Sequence, residues 1–149
     1  MKPEPVIAAV DAGGTSFKCA FVKADGTLIA TWRIPTTTPE ETLSACAEAF
    51  SEVAETHNVE PIALGIASFG PVDIDPTSSS FGTITGTAKP GWDGAPIGPY
   101  LSNAIGIPFY LDTDVNAALL AEMKWGAARS LGCAAYMTVG TGIGVGICV

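Results

Sequence analysis

The sequence predicts an α/β domain built on a mixed sheet, and three observations point there. The first third reads as three strands joined by short turns. The remainder alternates helical and strand periodicity. Several strand candidates are continuous apolar runs, as expected of strands covered on both faces. Antiparallel strands followed by alternating helices and strands imply a mixed sheet with helices on both sides.

Taken in order, residues 6–10 form the first apolar run, 17–22 the second strand and 28–34 the third. Asp25-Gly26 between the last two is a hairpin signal, because glycine accepts positive φ without steric cost. The period then changes. Leu43, Cys46, Ala47, Phe50, Val53 and Ala54 recur at three and four, one face of a helix. Thr38 caps it, Pro39 suits its first position, and Glu41 completes a capping box. His57 and Asn58 fall at its end, where His57 suits the helix dipole. Residues 62–67 are another buried strand. Residues 68–94 form a polar loop rich in Gly and Pro, whose Thr and aromatic content favours an ordered binding loop. Ile97, Leu101 and Ile105 repeat at four, a short helix stopped by Gly106 and Pro108. Residues 109–111 are a short strand. A helix over about 115–128 carries Ala117, Leu120, Ala121 and Trp125. Strands at 133–139 and 143–149 flank Gly140-Thr141-Gly142. The sequence stops on that apolar hairpin with no tail, which suggests a chain cut short.

With 149 residues the chain is one domain's worth, and 48% hydrophobic content argues against disorder. A formal net charge of −8 gives no basic footprint for nucleic acid and no attraction to an anionic membrane. No segment has the apolar length of a membrane span, and the N-terminus lacks a secretory apolar core. Cys19, Cys46, Cys133 and Cys148 form no C-x-x-C pair, and each sits in an apolar run, so the expectation is buried reduced thiols in a cytoplasmic protein. A single histidine excludes a His-rich metal site within this chain.

Two turns are alike: Val10-Asp11-Ala12-Gly13-Gly14-Thr15 and Val139-Gly140-Thr141-Gly142-Ile143-Gly144. Glycine lets backbone N–H groups converge on a phosphate, and threonine adds a hydroxyl. Singly, each is only a glycine turn; their recurrence is informative. Neither is a Walker A loop or a dinucleotide fingerprint. Asp11, ending its strand at the turn, has two readings: a Mg²⁺ ligand or an Asx-turn residue. Lys18 shares a sheet face with Ser16, and either reaches a phosphate or is solvated. Asp114 is an N-cap candidate, competing with Asp112 and Thr113, or a general base at the carboxyl end of a strand. Phosphoryl transfer to a hydroxyl needs such a carboxylate within hydrogen-bond reach.

These turns, with Ser68-Phe69-Gly70-Pro71, Thr87-Ala88-Lys89-Pro90-Gly91-Trp92 and Asp112-Thr113-Asp114-Val115-Asn116-Ala117-Ala118, occur in the order seen in the ROK family of sugar kinases. The chain resembles that family throughout, most of all its bacterial fructokinase branch. The resemblance implies an actin-like (ribonuclease-H-like) ATPase lobe. It implies that Asp11, Gly13, Gly14, Thr15, Lys18, Thr141 and Gly142 serve ATP, with Asp11 at Mg²⁺. It implies Asp114 as catalytic base, and Gly70, Lys89, Gly91, Thr113 and Asn116 around the sugar. The implied reaction is ATP-dependent phosphorylation of a hexose, fructose to fructose 6-phosphate. The alternatives are glucose or mannose, or a non-catalytic sugar-responsive regulator. A strand beginning at Val6 leaves no room ahead of it for the DNA-binding helices that such regulators carry.

Two departures stand out. Ser16 replaces a lysine many relatives carry, and Lys18 is the candidate substitute. Val145 interrupts a run of glycines, either crowding a nucleotide or facing the core. The resemblance also places the boundary between an N-terminal lobe (1–130) and the first hairpin of a second lobe (131–149). It puts the family's structural zinc site, its further sugar contacts and its adenine pocket outside this chain, and it implies a homodimer for the longer protein. The isolated chain is therefore expected to lack substantial kinase activity.

Overall fold

The computed structural model describes residues 2–139 and 142–149. Its elements are β1 (Glu4–Ala12), β2 (Ser16–Val22), β3 (Leu28–Pro35), α1 (Pro39–His57), β4 (Val59–Ser68), α2 (Ile97–Ile105), β5 (Phe109–Thr113), α3 (Asp114–Trp125), β6 (Ala134–Val139) and β7 (Ile143–Cys148). Five strands form one sheet in the order β3-β2-β1-β4-β5, and β6-β7 form a separate hairpin. β1, β2 and β3 pair antiparallel, while β1–β4 and β4–β5 are parallel. The mixed sheet is as expected.

Alternation along the strands decides which face is buried. Val6, Ala8, Val10 and Ala12 of β1, Phe17, Cys19 and Phe21 of β2, and Leu64 and Ile66 of β4 lie in the core. They pack beneath α1, through Leu43, Cys46 and Phe50, and α2, through Ile97 and Leu101. Phe21, Trp32 and Phe50 pack edge-on with ring centroids 4.9–5.4 Å apart. Thr38 caps α1, its hydroxyl accepting from Glu41 N, with Pro39 at the first position, and left-handed Asn58 closes it. The hydroxyls of Thr37 and Thr38 hold the Glu41 carboxyl below its ordinary range. The β2–β3 turn has Gly26 at φ 91°.

The 68–94 loop is ordered by its own bonds. Asp73 accepts from the Ser78 and Ser80 hydroxyls, both at 2.6 Å. Ile84 and Trp92 are fully buried, and Trp92 Nε1 donates to Thr37 O across 2.9 Å. Trp92 thereby ties the loop to the start of α1 and packs at an angle against the rings of Phe17 and Phe69.

Several expectations need correction. β4 begins at Val59, not 62, because Glu60 and Pro61 break the apolar run without breaking its pairing to β1. α3 ends at Trp125, where Gly126 caps it; residues 127–130 are turns. Its buried positions are Val115 and Leu119, whereas Leu120 and Trp125 are 57% and 64% exposed. Burial holds for Cys19 and Cys46 but not for Cys133, which is exposed, or Cys148, which is half-buried. Val145 is 44% exposed. It alternates with Gly144 and Gly146, which face α3, so it points away from them and not into a core. No described helix is long and apolar enough to cross a membrane.

Candidate active site

The carboxyl ends of β1, β4 and β5 converge with the β6–β7 hairpin around one open cleft of about 880 Å³. This is where parallel strands of an open sheet present ligands. Gly14, Gly70, Lys89, Thr113, Asp114 and Gly142 all line it. Six expected site residues from five separate segments therefore meet.

Asp114 opens α3 and is exposed. Its two readings separate here, because the cap is Thr113, whose hydroxyl accepts from Asn116 N at 3.3 Å. Asp114 Oδ1 accepts from Val115 N at 2.9 Å, and the carboxylate has no side-chain partner among the described residues. Its carboxylate lines the cleft, with Oδ2 bonded to no described residue. Gly144 and Gly146 let the hairpin approach: a Cβ on Gly144 would lie 2.8 Å from Val115 Cγ1, and one on Gly146 2.8 Å from Val115 O.

The 13–15 turn is held from behind. Thr36 Oγ1 donates to Gly13 O at 2.7 Å, Thr36 N to Thr15 O at 3.0 Å, and Gly13 N to Ser16 O at 3.2 Å. The N–H groups of Gly14 and Thr15 donate to no described residue, and a Cβ on Gly14 would meet nothing within 4 Å. An open turn with unused donors fits a phosphate group. Lys89 crosses from the long loop, its Nζ donating to Gly14 O at 2.7 Å.

Asp11 and Lys18 stand elsewhere. Cα pairing sets Arg33, Lys18, Asp11, Ala67 and Asp112 in one row across the sheet, on the face away from α1. Lys18 Nζ donates to Asp11 Oδ2 at 2.7 Å. Both line a hollow of about 730 Å³ on that face rather than the cleft. Asp11 also shares a second hollow with Asp112. One carboxylate oxygen of Asp11 is not engaged by Lys18, but Asp11 does not line the cleft, and the described residues hold no group of three His, Cys, Asp or Glu placed to bind a metal ion, so they do not by themselves fit Mg²⁺ there. Asn116 does not reach the cleft: its Nδ2 donates to Asp112 Oδ1 at 2.8 Å. Gly91, at φ 77°, shapes the turn before Trp92 and does not line the cleft. Thr141 lies outside the described residues.

Sequence reasoning missed Thr36, which anchors the turn from 23 residues away, and Asp112, which fixes Asn116. Nothing local marks Thr36. Asp112 was seen only as a rival cap.

The ROK family model matches residues 7–149. The chain is 40% identical over 144 residues to a fructokinase of Zymomonas mobilis, covering 97% of this chain and 48% of the relative. It is 43% identical to a putative fructokinase of Bacillus subtilis, covering 97% and 46%. The chain thus spans about half the length of the curated relatives it matches. The crystal structure of a ROK family glucokinase from Streptomyces griseus in complex with glucose and AMPPNP superposes with a TM-score of 0.81 at 27% identity, covering 97% of this chain and 44% of that one. The fold is accordingly the actin-like one expected, and a match across nearly its whole length places this chain in the ROK family.

Proposed function

We propose that this chain is the base- and phosphate-bearing half of an ATP-dependent hexose kinase, with fructose as the acceptor. The observation that carries the reading is that Asp114 and the Gly14 turn face one cleft. Fructose is favoured by the names of the relatives at about 40% identity. ATP is favoured by the AMPPNP in the Streptomyces griseus structure.

In this reading ATP supplies the phosphoryl group. Asp114 accepts the proton of the attacking sugar hydroxyl as the new bond from the sugar oxygen to the γ-phosphorus forms and the bond from that phosphorus to the β–γ bridging oxygen breaks, releasing ADP. The free N–H groups of Gly14 and Thr15 hold the phosphate chain. Gly70 and Thr113, which line the same cleft, orient the sugar. Residues 1–130 form one lobe and 131–149 begin a second; in support, among the described residues β6–β7 pairs with no strand of the main sheet. A homodimer and a cytoplasmic location belong to the same reading.

The test is a chimera in which this chain replaces the matching segment of the Bacillus subtilis relative. We expect hexose-dependent ADP release, fastest with fructose. Asp114→Asn should lower kcat by about 10²–10⁴-fold while leaving sugar affinity largely intact. The chain alone should show no substantial turnover. A folded chimera without hexose-dependent ADP release, or an Asp114→Asn chimera with unchanged kcat, refutes the reading.

A further inference from the structure

The chain carries a net charge of −8 and seven basic residues, so a site for a polyanion needs a cation deliberately placed. Lys18 was the sequence candidate. The structure spends it on Asp11, at 2.7 Å, in a hollow on the sheet face and not in the cleft. Lys23 is likewise paired, with Glu4. Arg33 lies in the same row as Lys18 and lines the same hollow.

Lys89 differs in both respects. It is the one basic side chain among the described residues lining the cleft, where Asp114 is the one acidic one. Its partner is a neutral carbonyl, Gly14 O at 2.7 Å, so its charge is not cancelled by a carboxylate. That bond spans 75 residues of sequence and fastens the long loop to the tip of the 13–15 turn. The loop cannot swing freely around it, because Trp92, three residues on, is fully buried and bonded to Thr37 O.

We propose that Lys89 is the phosphate-side cation of this site: a positioning residue that holds the Gly14 turn through its carbonyl and attracts the polyphosphate chain beside it. This assigns it to the phosphate and not to the sugar, and puts the missing charge at Ser16 on a different loop. The inference rests on the kinase reading. The physical basis is that an ammonium hydrogen-bonded to the back of a turn fixes the turn while its field favours an anion on the front. Lysine has three donors, so one bond to Gly14 leaves two for a phosphate oxygen.

The experiment titrates this chain with inorganic tripolyphosphate, and separately with fructose, glucose and mannose, at several salt concentrations. Saturable tripolyphosphate binding is expected for the unsubstituted chain. Lys89→Met should weaken it about tenfold and flatten its salt dependence. Lys89→Arg should recover most of the affinity. Lys23→Met, a remote charge control, should leave affinity unchanged, and all variants should melt within a few degrees of one another. No saturable tripolyphosphate binding by the unsubstituted chain overturns the proposal. So does a loss carried by Lys18→Met instead of Lys89→Met, or a Lys89→Met variant that loses only hexose binding. Lys89-dependent tripolyphosphate binding by this chain, together with a folded chimera that shows no hexose-dependent ADP release, would sink the hexose reading and leave this inference standing.

Discussion

α1 and α3 both pack against the five-stranded sheet, but they meet opposite demands. α1 buries Thr42, Leu43, Cys46 and Phe50 against a sheet face and a second helix. α3 buries only Val115 and Leu119, and presents Leu120 and Trp125 to solvent. The same contrast runs through the strands. β1 and β2 lose their apolar side chains into the core, whereas Met137, Val139, Ile143 and Ile147 of the hairpin are 63–75% exposed. The difference teaches that stability and the site are built by different regions. The α1 side is a covered core, while the α3 side and the hairpin leave apolar faces uncovered in a chain that spans about half the length of its relatives, beside a cleft with a free carboxylate at its mouth.

The largest expected effect breaks the core side. Phe50→Ala removes a ring in contact with Phe21 and Trp32, and should destabilise by about 3–5 kcal/mol in denaturant unfolding. Ile147→Ala, on the exposed face of the hairpin, should shift stability by no more than about 0.5 kcal/mol. Equal costs at the two positions would erase the contrast.

Trp92→Phe comes next. It strands the Thr37 carbonyl and loosens the loop, for a loss of about 1–3 kcal/mol by the same measurement. The caps sharpen the comparison further. Thr38→Ala and Thr113→Ala each remove a side-chain cap and should cost about 1 kcal/mol. Amide hydrogen exchange should show the first as a global loss and the second as fraying confined to the first turn of α3.

The smallest effect is set by pH. Bonds from the Ser78 and Ser80 hydroxyls hold the Asp73 carboxyl below its ordinary value. A depressed folded-state pKa means that the stabilisation is complete above the ordinary carboxylate range and fades as pH falls through the lower folded value. Trp92 fluorescence should therefore report loosening of the long loop only in strong acid. Asp73→Asn should remove that transition.

Much of the fold was legible. Thr38, Pro39 and Glu41 mark the start of α1 because capping is a local affair of side chain and backbone within one turn. Asp25-Gly26 marks its hairpin for the same reason. The α3 face was not legible, since apolar residues at helical spacing do not say whether a neighbour will cover them. The site was half legible. Asp114 stood out as a carboxylate at a strand end, but only the capping bond of Thr113 shows it to be free. Lys18 and Asn116 are near the site in sequence, yet each is bound to a carboxylate instead, Asp11 and Asp112.

The sequence by itself determined the order of elements, the two glycine turns and the side-chain chemistry available. Each of these depends on periodicity or on contacts within a few residues. Only the tertiary structure decided which cation lines the cleft, which carboxylate is free of a side-chain partner, and which apolar faces are covered. Those outcomes depend on chain segments up to 75 residues apart, brought together by strand pairing and by the buried anchor at Trp92. No local pattern records such a meeting, because loop closure leaves no mark on the residues being joined.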